Sequence, residues 1–229
     1  MIFRSGLFSR RPGLTPEAFA EHWFRVHGDL ASRMPGVHLY LQNHIRERLH
    51  EVSPFPDHAV DGVSQQWFDD VAAMERCEAS PEYAAVKRDI PNMQGAITIL
   101  VLRGEAIFGT PPRPPAGQAP TGSASKLLVL SRLREPAAAV DARAIAKELP
   151  AAAGGPVAYV QNVVVDRAHP VSAHVPSGNV PVDAMAELFF EDAGHLQAWW
   201  ASPAAQEFVH RNPRCEALAA YAVEQVRIV

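Results

Sequence analysis

Cysteine is scarce in this chain of 229 residues: Cys77 and Cys215 are the only two, far apart and in no CxxC or CxxxC spacing. That excludes a disulfide framework and a cysteine metal cluster, and both read as small buried or half-buried residues of predicted helices. Basic blocks are missing too. The cluster Arg4, Arg10 and Arg11 is small, and net charge is −4 with pI near 6.2. No nucleic-acid partner and no anionic membrane surface is expected from such a balance. No apolar run is long enough for a membrane span, and the N-terminal MIFRSGLFSRRPG lacks the apolar core of a signal peptide, so a cytoplasmic location is expected. Glycine-rich nucleotide loops, nucleophile elbows and HExxH pairs are also lacking. No metal and no cofactor is expected on those grounds.

What is present is apolar substance, 48% of residues, enough for a packed core. It is laid out twice. Tyr40-Leu-Gln-Asn43 recurs as Tyr159-Val-Gln-Asn162, Gln66-Trp-Phe-Asp-Asp70 as Leu188-Phe-Phe-Glu-Asp192, and Ala79-Ser-Pro as Ala201-Ser-Pro. Three matches in one order at nearly constant offset indicate a duplication. Between the copies lies GTPPRPPAGQAPTGSA, which has no apolar periodicity and reads as a linker. The domain reading is therefore 1–108, linker 109–124 and 125–229.

Each copy reads as strand, helix, strand, strand, helix, strand. The strands of the first are Ile2 to Arg10, Val37 to Arg46, Val63 to Phe68 and Ala96 to Arg103. Its helices are a Thr15-capped one with Pro16 in its first turn, and one from Asp70 to Lys87 interrupted at Pro81. In the second copy the strands are Lys126 to Leu133, Val157 to Val165, Pro181 to Phe190 and Ala219 to Ile228. The helices are Ala137 to Leu149 and Asp192 to Arg211. The βαββαβ order is the ferredoxin-like pattern of the α+β class. Both faces of each sheet are apolar, so the two sheets are expected to pack face to face as an intramolecular α+β barrel.

Chemistry-bearing residues gather in TPEAFAEHWFRVHGDLASRMPGVHLYLQNH, from Thr15 to His44. His27 falls at the edge of the stripe Phe19, Trp23, Val26 and Leu30, where one ring nitrogen can stay accessible for proton transfer. His22 lies roughly 140° away on an α-helix of regular pitch, and reads as structural. On the next strand Tyr40, Gln42 and His44 share one face, and Leu39, Leu41 and Ile45 the other. The aliphatic face is expected against the helices and the Tyr40 face inside the barrel, where Tyr159 would join it. Tyr40 is the candidate oxyanion donor. Trp67, Gln65 and Glu187 are expected on the same cavity, with Glu187 paired to a strand arginine such as Arg132 or Arg4. The polar side of that cavity is expected to come from the first half.

The run EHWFRVHGDLASRMPGVHLYLQNH resembles the EthD family of the dimeric α+β barrel superfamily, whose pattern is HW…VHG on a helix, then PG, then Y-x-Q-N-H on a strand. The resemblance is specific over Phe3 to Leu102 and weaker over Lys126 to Val229. It implies cofactor-free acid–base chemistry on a small enolisable, aromatic or lactone substrate: isomerisation, dehydration or cyclisation. Methylmuconolactone isomerase of this type has a histidine and a tyrosine at positions that match His27 and Tyr40. Gln42, His44, Trp67, Gln65, Tyr159 and Glu187 would then contact the substrate. Alternatives are cofactor-free oxygenation of a phenol or quinol, and a barrel that binds a small molecule without turning it over. A homodimer is compatible with the family.

Overall fold

A computed structural model describes residues 1–134, 142–147, 149, 154–167, 169 and 171–229. Eight strands close into one barrel: β1 (Ile2–Arg10), β2 (Leu39–Glu51), β3 (Gly62–Phe68), β4 (Gln94–Phe108), β5 (Lys126–Leu133), β6 (Ala158–Asp166), β7 (Ala184–Phe189) and β8 (Cys215–Arg227). Their order around the barrel is β1-β3-β2-β8-β5-β7-β6-β4. This is two copies of the same ferredoxin-like sheet, 4-1-3-2 and 8-5-7-6, so the tandem βαββαβ architecture holds. All pairings are antiparallel.

The strands that close the barrel are longer than the sequence pattern suggests. β2 runs on to Glu51 because its second half pairs with β8, from Leu41↔Arg227 to Glu51↔Ala219. β4 runs on to Phe108 because its end pairs with β6, from Val101↔Asp166 to Phe108↔Tyr159. Each copy thus lends its edge strands to the other, and closure removes the sheet edges that would otherwise invite foreign strands.

Helices cover the outside. Thr15 accepts from the Ala18 amide and starts α1 (Pro16–His22). A π-helical turn follows at Trp23–His27, then α2 (Gly28–Ala31). The duplicated Ser-Pro explains itself. Ser80 and Ser202 cap α4 (Pro81–Met93) and α7 (Pro203–His210), each with proline at the first turn, while Asp70 and Asp192 cap α3 (Val71–Glu78) and α6 (Ala193–Trp200). Of the helix expected over 137–149, α5 (Ala142–Ile145) is seen; residues 135–141 and 148 lie outside the described residues. No helix among the described residues is long and apolar enough to cross a membrane.

Period-2 alternation divides the core. Phe3, Leu7, Leu100, Leu102, Leu128, Leu130, Met185, Tyr221 and Val223 fill the barrel. Ile2, Phe8, Ile99, Leu127, Val129 and Leu188 face the helices. On β2 this overturns the expected orientation. Tyr40 packs with Met74, Cys77, Tyr83 and Val86 of the helix layer, whereas Leu39 and Leu41 line the barrel. The aliphatic face instead joins Phe3, Trp67 and Phe189 inside the barrel. Tyr159 likewise packs on Phe208 of α7, outside the barrel.

Candidate functional site

The sequence candidates fall into three places. The first is the layer between α1–α2 and the sheet. The π turn there is closed by the Gly28 amide donating to the Trp23 carbonyl, five residues back. That carbonyl also accepts from Gln42 Nε2 at 2.8 Å. A turn with five-residue periodicity changes which side chains share a face. His22 and His27, far apart on a regular helix, both reach one carboxylate. His27 donates its Nδ1–H to Asp89 Oδ2 and His22 its Nε2–H to Asp89 Oδ1, each at 2.9 Å. Asn92 adds a third donor at 3.1 Å. Asp89, on α4, carries no signal of this role in its own sequence surroundings.

Burial opposes the charge on Asp89, yet the bonds from His27, Asn92 and His22 outweigh it and hold the carboxyl well below its usual 3.8. The sign of the linkage follows. A lowered folded-state value stabilises the fold above the ordinary carboxyl value, and that stability is lost as pH falls through the lowered one. Urea midpoints measured on the acid side of 3.8 should therefore fall more steeply with pH in the wild type than in Asp89→Asn.

With Nδ1–H committed to Asp89, the neutral His27 ring presents a lone pair on Nε2. That atom has no hydrogen-bond partner among the described residues, and it is not among the fully buried unpaired atoms. His22, held through Nε2 by the same carboxylate, likewise leaves its Nδ1 unbonded among the described residues, but on a more exposed ring; His27 Nε2 is the buried member of the pair.

Tyr40 is different. It is fully buried, and its hydroxyl accepts from Trp23 Nε1 at 3.1 Å and Gln42 Nε2 at 3.3 Å. Burial pushes its pKa up to about 12, against the lowering effect of those two bonds. His44 donates from Nε2 to Gln42 Oε1 at 3.0 Å, under the Trp23 ring. Burial, then the Arg46 charge, push its pKa down to about 4, so it stays neutral at neutral pH. Gly62 makes this packing feasible, since a Cβ there would come within 2.8 Å of both the Phe8 and Trp23 rings. Tyr40, Gln42 and His44 thus form a satisfied chain that seats Trp23. Tyr40→Phe strands the buried Trp23 N–H and one Gln42 N–H, and should lower the unfolding free energy by about 1–3 kcal/mol, read from urea denaturation.

The second place is the matching layer of the other copy. Tyr159 donates to Gln161 Oε1 at 2.5 Å, with no histidine or tryptophan among the described residues bonded to either. The void beside them is about 20 Å³, room for about one water.

The third place is the barrel. A cavity of about 220 Å³ opens at one end, walled by Phe3, Leu39, Leu41, Trp67, Val160 and Phe189. Its polar wall is Glu187, Asn162 and Gln225. Glu187 pairs with Lys126 (Nζ–Oε2 2.6 Å), not with an arginine, because Arg132 is taken by Glu216 and Arg4 by Glu78. Gln65 and Asn162 donate to Glu187 Oε1 at 3.1 and 2.7 Å. Lys126 also donates to Asn43 (2.9 Å), Gln65 (3.2 Å) and Gln225 (2.8 Å). Burial lowers the Lys126 pKa, partly offset by Glu187. Of the expected cavity residues, Trp67 and Glu187 line the space, Gln65 supports it from behind, and Tyr40, Gln42, His44 and Tyr159 lie outside it. The polarity comes mainly from the second half, through Lys126, Asn162, Glu187 and Gln225, and not from the first. The reason is the inward parity of β5, β6, β7 and β8.

Fold and residues together define a tandem α+β barrel of the ferredoxin-like type. The EthD domain profile matches residues 11–95 and 143–211, and this chain belongs to the EthD family. Both copies are matched, including the second, whose helix motif is lost. An anthrone oxidase-like protein of known structure is similar over 99% of this chain and 93% of its own, with a TM-score of 0.54 and 11% identity. An ethyl tert-butyl ether D (EthD) family protein from Bacillus halodurans is 20% identical over 44% of this chain and 95% of its own, with a TM-score of 0.35. These likenesses concern the fold. No curated protein sequence matches significantly.

Proposed function

We propose that this chain is a small-molecule enzyme working by acid–base chemistry, with His27 as the group that moves the proton. The observation that carries the reading is the Asp89–His27 contact at 2.9 Å, which fixes the ring through Nδ1 and leaves Nε2 unbonded. A carboxylate in that position orients the imidazole, selects its tautomer and stabilises the imidazolium that forms. Such a base suits removal of a carbon-bound proton next to a carbonyl. That step begins an isomerisation, a dehydration or a cyclisation of an enolisable or lactone substrate. The π turn supports the same assignment, since such bulges are frequent at functional sites.

Tyr40 enters this reading as a positioning residue. Its hydroxyl holds the Trp23 indole and, through Gln42, the π-turn carbonyl from which His27 is aimed. Each copy already covers the other's sheet, so a homodimer would join other surfaces.

The test uses a β,γ-unsaturated five-membered lactone in deuterated water, followed by proton NMR. Protein-dependent deuteration and shift of the double bond support the reading; a rate equal to that of buffer defeats it. Oxygen uptake on a phenol or quinol, measured alongside, separates the oxygenase alternative, because the same proton removal would there be followed by consumption of dioxygen.

A further inference from the structure

The barrel-end cavity lies on the opposite face of β2 from Tyr40, Gln42 and the His27 layer, and the acid–base reading leaves it unused. Its walls are flat and aromatic: Phe3 and Trp67 stack at 4.9 Å with an interplanar angle of 28°, and Phe189 joins them with Lys126 Nζ 5.1 Å from its ring centre. Its polar wall is committed in one direction. Both hydrogens of Asn162 Nδ2 are engaged, by Glu187 Oε1 and the Met185 carbonyl. Gln225 is held at both ends, by Lys126 and by the Pro112 carbonyl. Glu187 accepts three hydrogen bonds, one fewer than a carboxylate's roughly four lone-pair positions. Asn162 Oδ1 points toward Gly104, where even a Cβ would come within 2.1 Å of it. What Glu187 and Asn162 offer a guest inside is acceptor capacity; Gln225 Nε2 keeps a second hydrogen, and the donors Met1 and Arg113 also line the cavity.

We infer that this cavity is a ligand site separate from the His27 layer. It would take a small planar aromatic alcohol or amine that lies against Phe3 and Trp67 and donates its O–H or N–H to Glu187. The volume of about 220 Å³ is below the usual range for drug-sized ligands and limits the guest to one or two rings. Pro111, Pro112 and Arg113 of the linker form its rim. The linker is tied to β8 by the Gln225–Pro112 bond at 3.2 Å, by the Gly117 amide on the Arg227 carbonyl at 2.8 Å, and by Thr121 and Gly122 on Glu224. A guest must therefore pass a strap that is already anchored to the barrel.

The experiment titrates the full chain with 2-naphthol and with 2-methylnaphthalene, which has the same rings and no donor, by calorimetry and thermal shift. The hydroxyl bound to a charged acceptor should give 2-naphthol at least about tenfold tighter binding. Glu187→Gln should remove most of that preference. Ala106→Trp, at an exposed position on the cavity wall, should block both ligands while leaving the melting temperature of the free protein near wild type. It keeps the test decisive if Glu187→Gln does not fold. Equal affinity for the two compounds would overturn donor recognition by Glu187. Unchanged binding in Ala106→Trp would overturn the placement, and no binding of either compound would overturn the site. Deuteration of the lactone is a separate readout, so either proposal can fail alone.

Discussion

Lys126→Met should destabilise the protein by about 3–5 kcal/mol, the cost of leaving a buried charge without its partner. The Lys126 and Glu187 side chains are 1% and 5% exposed, and Nζ sits 2.6 Å from Oε2. Nζ has three hydrogens and four acceptors within reach, Glu187, Asn43, Gln65 and Gln225, so it also holds the amides in place. Methionine keeps much of the volume and removes the charge. Among the described residues Glu187 would then keep only Gln65 and Asn162 as donors, with no cation bonded to it. Replacing both residues by methionine removes the stranded charge and should recover most of the loss, because a buried pair exchanged for apolar residues of similar volume is often close to neutral. An exposed pair sets the comparison. Arg33 and Asp29, 64% and 59% exposed, should give at most about 1 kcal/mol when broken. Urea denaturation of the single and double variants checks this. A Lys126→Met loss as small as that of Arg33→Met would mean that the barrel interior is wetter than its packing indicates.

The architecture was legible because its signals are local and repeated. Ser-Pro, Asp caps and apolar strands occur twice at one spacing, and β1 and β5 run over the residues their pattern marks. Which face of β2 points inward was not legible. From Leu39 to His44 every residue is buried, so the alternation has no solvent side to fix its sign. Only the competition between two cores decides it, and that depends on strands from both copies. The π turn was hidden for a related reason: helical-wheel reasoning assumes 3.6 residues per turn, and here it placed His22 and His27 on opposite edges. Asp89 and Lys126 escaped because their partners are distant in sequence. Asp89 meets a histidine 62 positions away and Lys126 a glutamate 61 away. Parity could have found Lys126, since 126, 128 and 130 share the inward face of β5 with Leu128 and Leu130.

Removing the base should cost the most. His27→Ala is expected to lower lactone deuteration by about 10²–10⁴-fold, the usual contribution of a positioned acid or base. Alanine also strands the Asp89 carboxylate, so a second variant is needed. His27→Gln can still donate an amide hydrogen to Asp89 but cannot carry the proton. It should fold with a urea midpoint closer to wild type than alanine does, and lose activity to a similar extent. Asp89 acts through His27 and is a positioning residue. Asp89→Asn weakens the hold on Nδ1 and the stabilisation of the imidazolium, so kcat should fall while KM changes little. A fall in kcat at nearly constant KM, with the urea midpoint retained, is a split that a purely packing role would not produce. His22→Gln removes the bond to the other oxygen of the same carboxylate and should have a smaller effect, since His27 and Asn92 remain. Deuteration at the wild-type rate in His27→Gln would remove His27 as the base and leave the layer as a packing device around Trp23.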